Sequence, residues 1–292
     1  MRRRAFLRGG TLVLGLAAVS GITSFTYSTA KGEAMSEIRF DLGKNIVETA
    51  KQSGVPAFQN RDVNGTISYS VNDIPPVVTA IYTRPGYEIR VDNLFAFTLY
   101  ADRNRSEQLL VDTVDLQPRA RFKSHAEAQA FATKVIAQFK QGRWRRDYAG
   151  DPARLTGRSS ILGEDGQLDG DAASPDPDYV IPPEDWKALI PMGLVWRWSG
   201  DGVRAKLHIW TSGSDWPDGS PSYSVYLDFE DAKAADEVAA RNEAYDNEKL
   251  KAQGVDIAAR DKKNQEEQEA RNKILEQNAI KRGDKVLSKP AS

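Results

Sequence analysis

Between residues 194 and 229 apolar and polar side chains alternate with a period of two, and that pattern admits little except antiparallel β-structure. Three strands are expected, at 194–198, 203–210 and 223–229, with Gly200-Asp201-Gly202 as a tight turn between the first two. In the middle strand Val203, Ala205, Leu207 and Ile209 face one way, and Arg204, Lys206, His208 and Trp210 the other. The third strand turns Tyr223, Val225, Leu227 and Phe229 inward. Such a sheet has one apolar face and one wet face.

The same signal occurs upstream. Ile67, Tyr69 and Val71 alternate with Thr66, Ser68 and Ser70, just after an Asn64-Gly65 turn. Further strands are expected at 77–83, 88–91, 94–100 and 109–116. Two helices interrupt them. A short one in the segment from Phe40 through Pro56 carries Ile46, Val47 and Ala50 on one face, with Gly54 and Pro56 as its stop. A longer one at 124–141 starts on a Ser124 cap with Glu127 three residues later and stops at Gly142. Its Ala128, Phe131, Val135, Ile136 and Phe139 share a face, which predicts packing across the sheet. The expected fold class is therefore α+β: antiparallel sheet or sheets with one packed amphipathic helix, followed by a long charged C-terminal helical region.

Composition shifts divide the chain. Residues 1–30 read as a signal segment or membrane anchor, 36–148 as an α+β domain and 149–178 as a flexible acidic Gly/Pro linker. Residues 179–229 hold the three-stranded meander, which either extends the first sheet or forms its own lobe. Residues 230–285 lack proline and are rich in Ala, Glu, Lys, Arg, Asn and Gln, so a charged helical tail broken at Gly254 is expected. Residues 286–292 are expected to be a disordered end.

The N-terminal segment has the three-part layout of an export signal. Arg2, Arg3, Arg4 and Arg8 precede an apolar run from Gly9 to Phe25, and Ser28, Thr29 and Ala30 close it. Arg3-Arg4-Ala5-Phe6-Leu7-Arg8 resembles the twin-arginine pattern, with Arg8 in place of Lys. The implied location is the periplasm, or the inner membrane facing the periplasm if the segment stays uncleaved and contacts that membrane.

The chain's 292 residues include no cysteine and two histidines. Disulfides, thiolate nucleophiles, iron–sulfur clusters and cysteine-based zinc sites are thereby excluded. No cofactor and no metal are expected. Net charge is −1, so no global pull on nucleic acid is expected, and no nucleic-acid partner is assigned. The G-x-S-x-G, G-x-x-x-x-G-K-[ST] and G-x-G-x-x-G fingerprints are missing. His125 opens the long helix as a surface residue, and His208 has no evident nucleophile. Asp165, Gln167, Asp169, Gly170 and Asp171 can be aligned with a calcium loop, but Gln167 and Asp176 stand where acids of the right kind belong, and a plain loop is the simpler reading.

Two surfaces stand out as candidate partner-binding sites. The first is the row Arg204, Lys206, His208 and Trp210, joined by Arg197 and Tyr226 if the meander pairs as drawn. Arg, His, Trp and Tyr together match interface composition better than that of a plain solvated face. The second is Arg143, Trp144, Arg145 and Arg146 with Lys140, just after the long helix. It either complements the helix dipole or forms a patch for an acidic partner or phospholipid headgroups. Trp196, Trp198, Trp210 and Trp216 are either core residues or stacking surfaces.

Phe40-x-Leu42-Gly43 leading to Gly54-Val55-Pro56 is one recognisable stretch. The other is Phe122-x-Ser124-x-x-Glu127-Ala128-x-Ala130-Phe131, continuing to Gln138-Phe139-x-x-Gly142-x-Trp144-x-Arg146. Together they resemble uncharacterised exported proteins of Gram-negative bacteria. Some of those occur near type VI secretion loci, among immunity proteins that neutralise secreted toxins. The resemblance implies a binding role and a protein partner, a secreted toxin in the immunity case; its motifs mark a packed helix, not an active site. The leading expectation is a non-catalytic envelope protein that binds another protein. The alternatives are an envelope hydrolase acting on glycan or lipid, and a membrane-anchored structural or assembly protein.

Overall fold

The computed structural model describes residues 36–119, 121–148, 150–170 and 174–289. The N-terminal signal segment lies outside the described residues. Among these residues no helix is long and apolar enough to cross a membrane.

The chain is an α+β protein built on two sheets. Its strands are β1 (Glu37–Phe40), β2 (Gln59–Val63), β3 (Thr66–Val71), β4 (Thr79–Tyr82), β5 (Ile89–Val91), β6 (Leu94–Asp102), β7 (Thr113–Pro118), β8 (Arg145–Arg146), β9 (Leu194–Gly200), β10 (Val203–Asp215) and β11 (Pro221–Asp231). The helices are α1 (Ile46–Gln52), α2 (His125–Gln141), α3 (Pro183–Leu189), α4 (Ala232–Ala252) and α5 (Ile257–Arg282). The large sheet has eight strands in the order β2-β3-β6-β7-β11-β10-β9-β8, and the small one has three, β1-β4-β5. All pairings are antiparallel except β1 with β4.

The meander thus extends the first sheet and forms no separate lobe. β11 pairs with β7, Leu227 opposite Leu116 and Phe229 opposite Val114, which joins the two halves of the chain. Both hairpin turns use left-handed backbone: Asn64 and Gly65 between β2 and β3, Asp201 and Gly202 between β9 and β10. That geometry matches the twist of the flanking strands.

One apolar layer lies under the large sheet. Val203, Ala205, Leu207, Ile209, Val225, Leu227 and Phe229 are all buried, as the alternation requires. The small sheet packs against them through aromatic rings. Phe40 lies 5.5 Å from Phe97 and 5.6 Å from Phe229, and Tyr82 stacks on Phe229 at 4.6 Å. The apolar stripe of α2 adds Phe139, stacked on Trp198 at 3.8 Å, and α3 sets Trp186 against Trp196. Ser124 caps α2 by accepting from the Glu127 amide, and Glu127 in turn accepts from the Lys123 amide, so the first turn is satisfied from both sides.

The segment expected to be a flexible linker is instead packed where it is described. A short 3-10 helix (Gly157–Ile161) buries Ser159, Ser160 and Ile161. Arg146 donates to the carbonyls of Leu155 and Ser174, and the Ser174 hydroxyl accepts from the Arg197 amide. The apolar residues scattered among the Gly, Pro and Asp, with one arginine collecting carbonyls, are enough to anchor it.

The charged tail is a pair of helices turning at Gly254, whose φ is +81°. Asp231 and Asp256 cap the two starts, and Gly283 ends α5 in the left-handed conformation. α4 is exposed nearly throughout, with Ala234 as its buried residue. α5 returns to the 150–170 segment: Asn272 accepts from the Ala153 amide and donates to the Asp151 carbonyl, Arg271 binds Asp169 at 3.0 Å, and Asp284 accepts from the Ser159 amide. Ala279, Ala153 and Leu155 form a small apolar cluster with Leu275 and Val286. The end expected to be disordered is held where it is described: the Leu287 amide donates to the Arg154 carbonyl, and Lys289 binds Asp151. Ala279→Glu places a carboxylate in that cluster, where Ala279 has no exposure. It is expected to free the last turns of α5 and raise amide exchange there and in residues 153–162, while β9–β11 keep their protection.

Candidate functional site

The wet face of the large sheet gathers the first set of expected residues. Lys206 pairs in register with Arg197 on one side and Asp228 on the other; His208 lies opposite Tyr226, and Arg204 opposite Glu230. All are half-buried. Trp210 stands between neighbouring strands with His208 at 4.2 Å and Tyr226 at 5.4 Å, the latter nearly parallel to it. Trp196 and Trp198 belong to the core, whereas Trp216 is exposed beneath the Arg121 guanidinium.

The face is not simply basic. Across β11 and β7 the same row continues with Asp228 opposite Asp115, so two carboxylates sit side by side next to Lys206. The Lys206 ammonium binds Asp228 at 2.9 Å, and Arg204 binds Asp236 of α4 at 2.8 Å. Asp115 is pushed up to about 7, first by burial and then by the Asp228 carboxylate. Burial also raises Asp228, against the pull of Lys206, and raises Glu230. Tyr100, in the next strand beside Asp115, rises to about 12, mainly by burial and then by the Asp115 charge. His208 falls to about 4 through burial, with Lys206 and Arg197 adding to the shift, so it is neutral at pH 7.

Asp115, Asp228, Glu230 and Tyr100 were not among the expected site residues. Alternation in the third expected strand already turns Asp228 outward. Asp115 becomes visible only through the β7–β11 pairing, a contact more than a hundred residues long in sequence.

The second cluster separates by burial. Trp144 is buried, 5.2 Å from Phe139, and donates its indole N–H to the Tyr87 carbonyl. Arg146 is structural, bound to two carbonyls, and burial lowers its pKa. Arg143 and Arg145 point outward. They line an open groove of about 590 Å³ together with Tyr87, Ser199, Asp201 and Ala232. A second cleft, of about 230 Å³, lies between residues 150–169 and α5, lined by Arg146, Ser159, Ser160, Asp169, Arg271 and Asn272 among others. Its polar groups mostly bind one another and pin α5.

His125 is not a surface residue as expected. It is half-buried, and its Nδ1 lies 2.6 Å from the Tyr223 hydroxyl. The same hydroxyl accepts the Trp186 indole N–H, so Tyr223 ties His125 to the core. In the segment aligned with a calcium loop, Asp169 faces Arg271, and among the described residues no group of three His, Asp or Glu could hold a metal ion.

What the fold and these sites define is an α+β protein with a charged, aromatic-bearing open sheet face and a two-helix arm. Comparison with protein-family models, curated proteins and solved structures finds no match.

Proposed function

We propose that the chain is a non-catalytic envelope protein that binds another protein through the wet face of the large sheet, an immunity protein against a secreted toxin being the form the sequence resemblance favours. The arginine-led leader supports a periplasmic location, or one on the inner membrane facing the periplasm. The observation that carries the reading is the half-exposed His208–Trp210–Tyr226 group beside charges already paired, Lys206 with Asp228 and Arg204 with Asp236 of α4. Aromatic side chains ringed by compensated charge offer contact area with little desolvation cost, which is how binding hot spots are built. The test is capture from envelope extracts with the purified protein as bait. The unaltered chain is expected to retain a protein partner, and the double variant Trp210→Ala/Tyr226→Ala to lose it by about a hundredfold, equivalent to ~2.7 kcal/mol, with unchanged circular dichroism. Failure of the unaltered chain to retain any protein would remove the reading.

The facing acids favour a second reading, an envelope hydrolase. A carboxyl group pushed up to about 7 beside a second carboxyl bound by Lys206 resembles the pairing used in acid–base hydrolysis. Under this reading the purified protein releases sugar or fatty acid from envelope glycan or lipid, and Asp115→Asn and Asp228→Asn each abolish the release. Absence of hydrolysis by the unaltered protein disposes of it.

A further inference from the structure

From the groove beside β8 we infer a docking site for an acidic peptide segment, with Arg143 and Arg145 as its anion-binding residues. The inference rests on the protein-binding reading and adds the chemistry of the partner. Both arginines are exposed, and among the described residues neither guanidinium has a hydrogen-bond or ion-pair partner. Most other charges near this end of the sheet are paired: Arg84 with Asp41 and Asp201, Arg204 with Asp236, Arg105 with Asp231 and Glu237. Asp201, the acid lining the groove, shares the Arg84 guanidinium with Asp41, and the lining sets two arginines, Arg143 and Arg145, against this one acid.

The backbone that carries the two arginines is anchored from below. Trp144, between them in sequence, is locked into the core by Phe139, Tyr82 and Tyr87. The Arg143 side chain lies across Gly86, where a Cβ would stand 3.1 Å from its Cδ and Nε. Gly200 gives the Tyr87 ring room to lie against the turn that forms the opposite wall. Guanidinium groups placed on this anchored backbone suit planar carboxylates, to which arginine donates in a fork. The groove, at about 590 Å³, has room for several residues of chain, which favours a peptide over a single small anion.

The full chain is titrated with a fluorescent oligo-glutamate peptide at physiological ionic strength. Binding that weakens with added salt, and that Arg143→Glu/Arg145→Glu reduces at least tenfold, is the expected result. A control reversal of two exposed lysines elsewhere, Lys187→Glu/Lys273→Glu, leaves it within about twofold. Equal binding by the two reversed proteins overturns the inference, as does binding to vesicles containing phosphatidylglycerol with none to the peptide, which would make the groove a lipid headgroup site. Gly86→Val, which displaces the Arg143 side chain without changing charge, is expected to weaken peptide binding as well; unchanged binding argues against a fixed Arg143. The outcome is separable from that of the parent reading. If Trp210→Ala/Tyr226→Ala loses the extract partner and Arg143→Glu/Arg145→Glu keeps it, the groove assignment fails and the sheet-face reading stands. If the unaltered chain captures no protein at all, the parent reading fails whatever the peptide does.

Discussion

Phe229→Ala is expected to destabilise the protein by about 3–5 kcal/mol, among the largest single-residue losses available outside backbone changes. Phe229 has no exposure and is where the two sheets meet. Its ring stacks on Tyr82 of β4, stands edge-on to Phe40 of β1, and lies 6.1 Å from Trp144. Truncation leaves a cavity bounded by three large rings, each fixed by further neighbours, so collapse is limited and the cavity penalty stays near its upper range. In a domain of this size that loss corresponds to a melting temperature lower by about 6–20 °C. Urea unfolding measures it directly. A loss below about 1 kcal/mol would mean that the two sheets do not share this core.

The second large effect is set by pH and has the unusual sign of a carboxylate raised by folding. In the unfolded chain Asp115 titrates near its ordinary 3.8; in the fold it is pushed up to about 7. Between those values the folded protein holds a proton that the unfolded chain has released, so stability falls as pH rises from about 4 to 7 and stays reduced above. Below pH 4 both states are protonated and the effect vanishes. The whole shift would be worth roughly 4 kcal/mol at 1.36 kcal/mol per pH unit. The side chain is not wholly sealed from water and its titration is tied to that of the neighbouring Asp228 carboxylate, which reduces the expected figure to about 1–2 kcal/mol. Asp115→Asn removes the charge while keeping the shape. The variant is expected to gain that amount relative to the unaltered protein when denaturation at pH 8 is compared with denaturation at pH 4.5. A pH-independent difference between the two proteins would show that Asp115 is ordinarily ionised on this face.

How much of this could be read from the chain follows from the range of the contacts involved. The β9–β10–β11 meander, the two Asn-Gly and Asp-Gly turns and α2 with its cap were legible because their determinants lie within a few residues of one another. β2 was missed because Gln59–Val63 is polar and exposed along its length and carries no period-two signal; it is a strand only because β3 pairs with it. The parallel partnership of β1 with β4 spans some forty residues and leaves no local trace. Residues 150–170 looked unstructured because Gly, Pro and Asp dominate, yet Leu155, Ile161 and Leu162 are enough to bury the segment once α5 lies beside it. At the candidate face the same division holds. Arg204 to Trp210 could be placed by alternation alone, as could the outward turn of Asp228, but the meeting of Asp228 with Asp115 could not. In the basic cluster, composition grouped Arg143 to Arg146 together, whereas the fold divides them into one buried ring, one structural arginine and two that have no partner among the described residues.

The central place of β11 sets the order in which the chain can become a protein. A nascent polypeptide that has emerged only as far as residue 220 carries β7 with one bare edge and β10 with another, and nothing yet made can bridge them. Completion waits for the last strand to be synthesised, and it closes the gap from the middle.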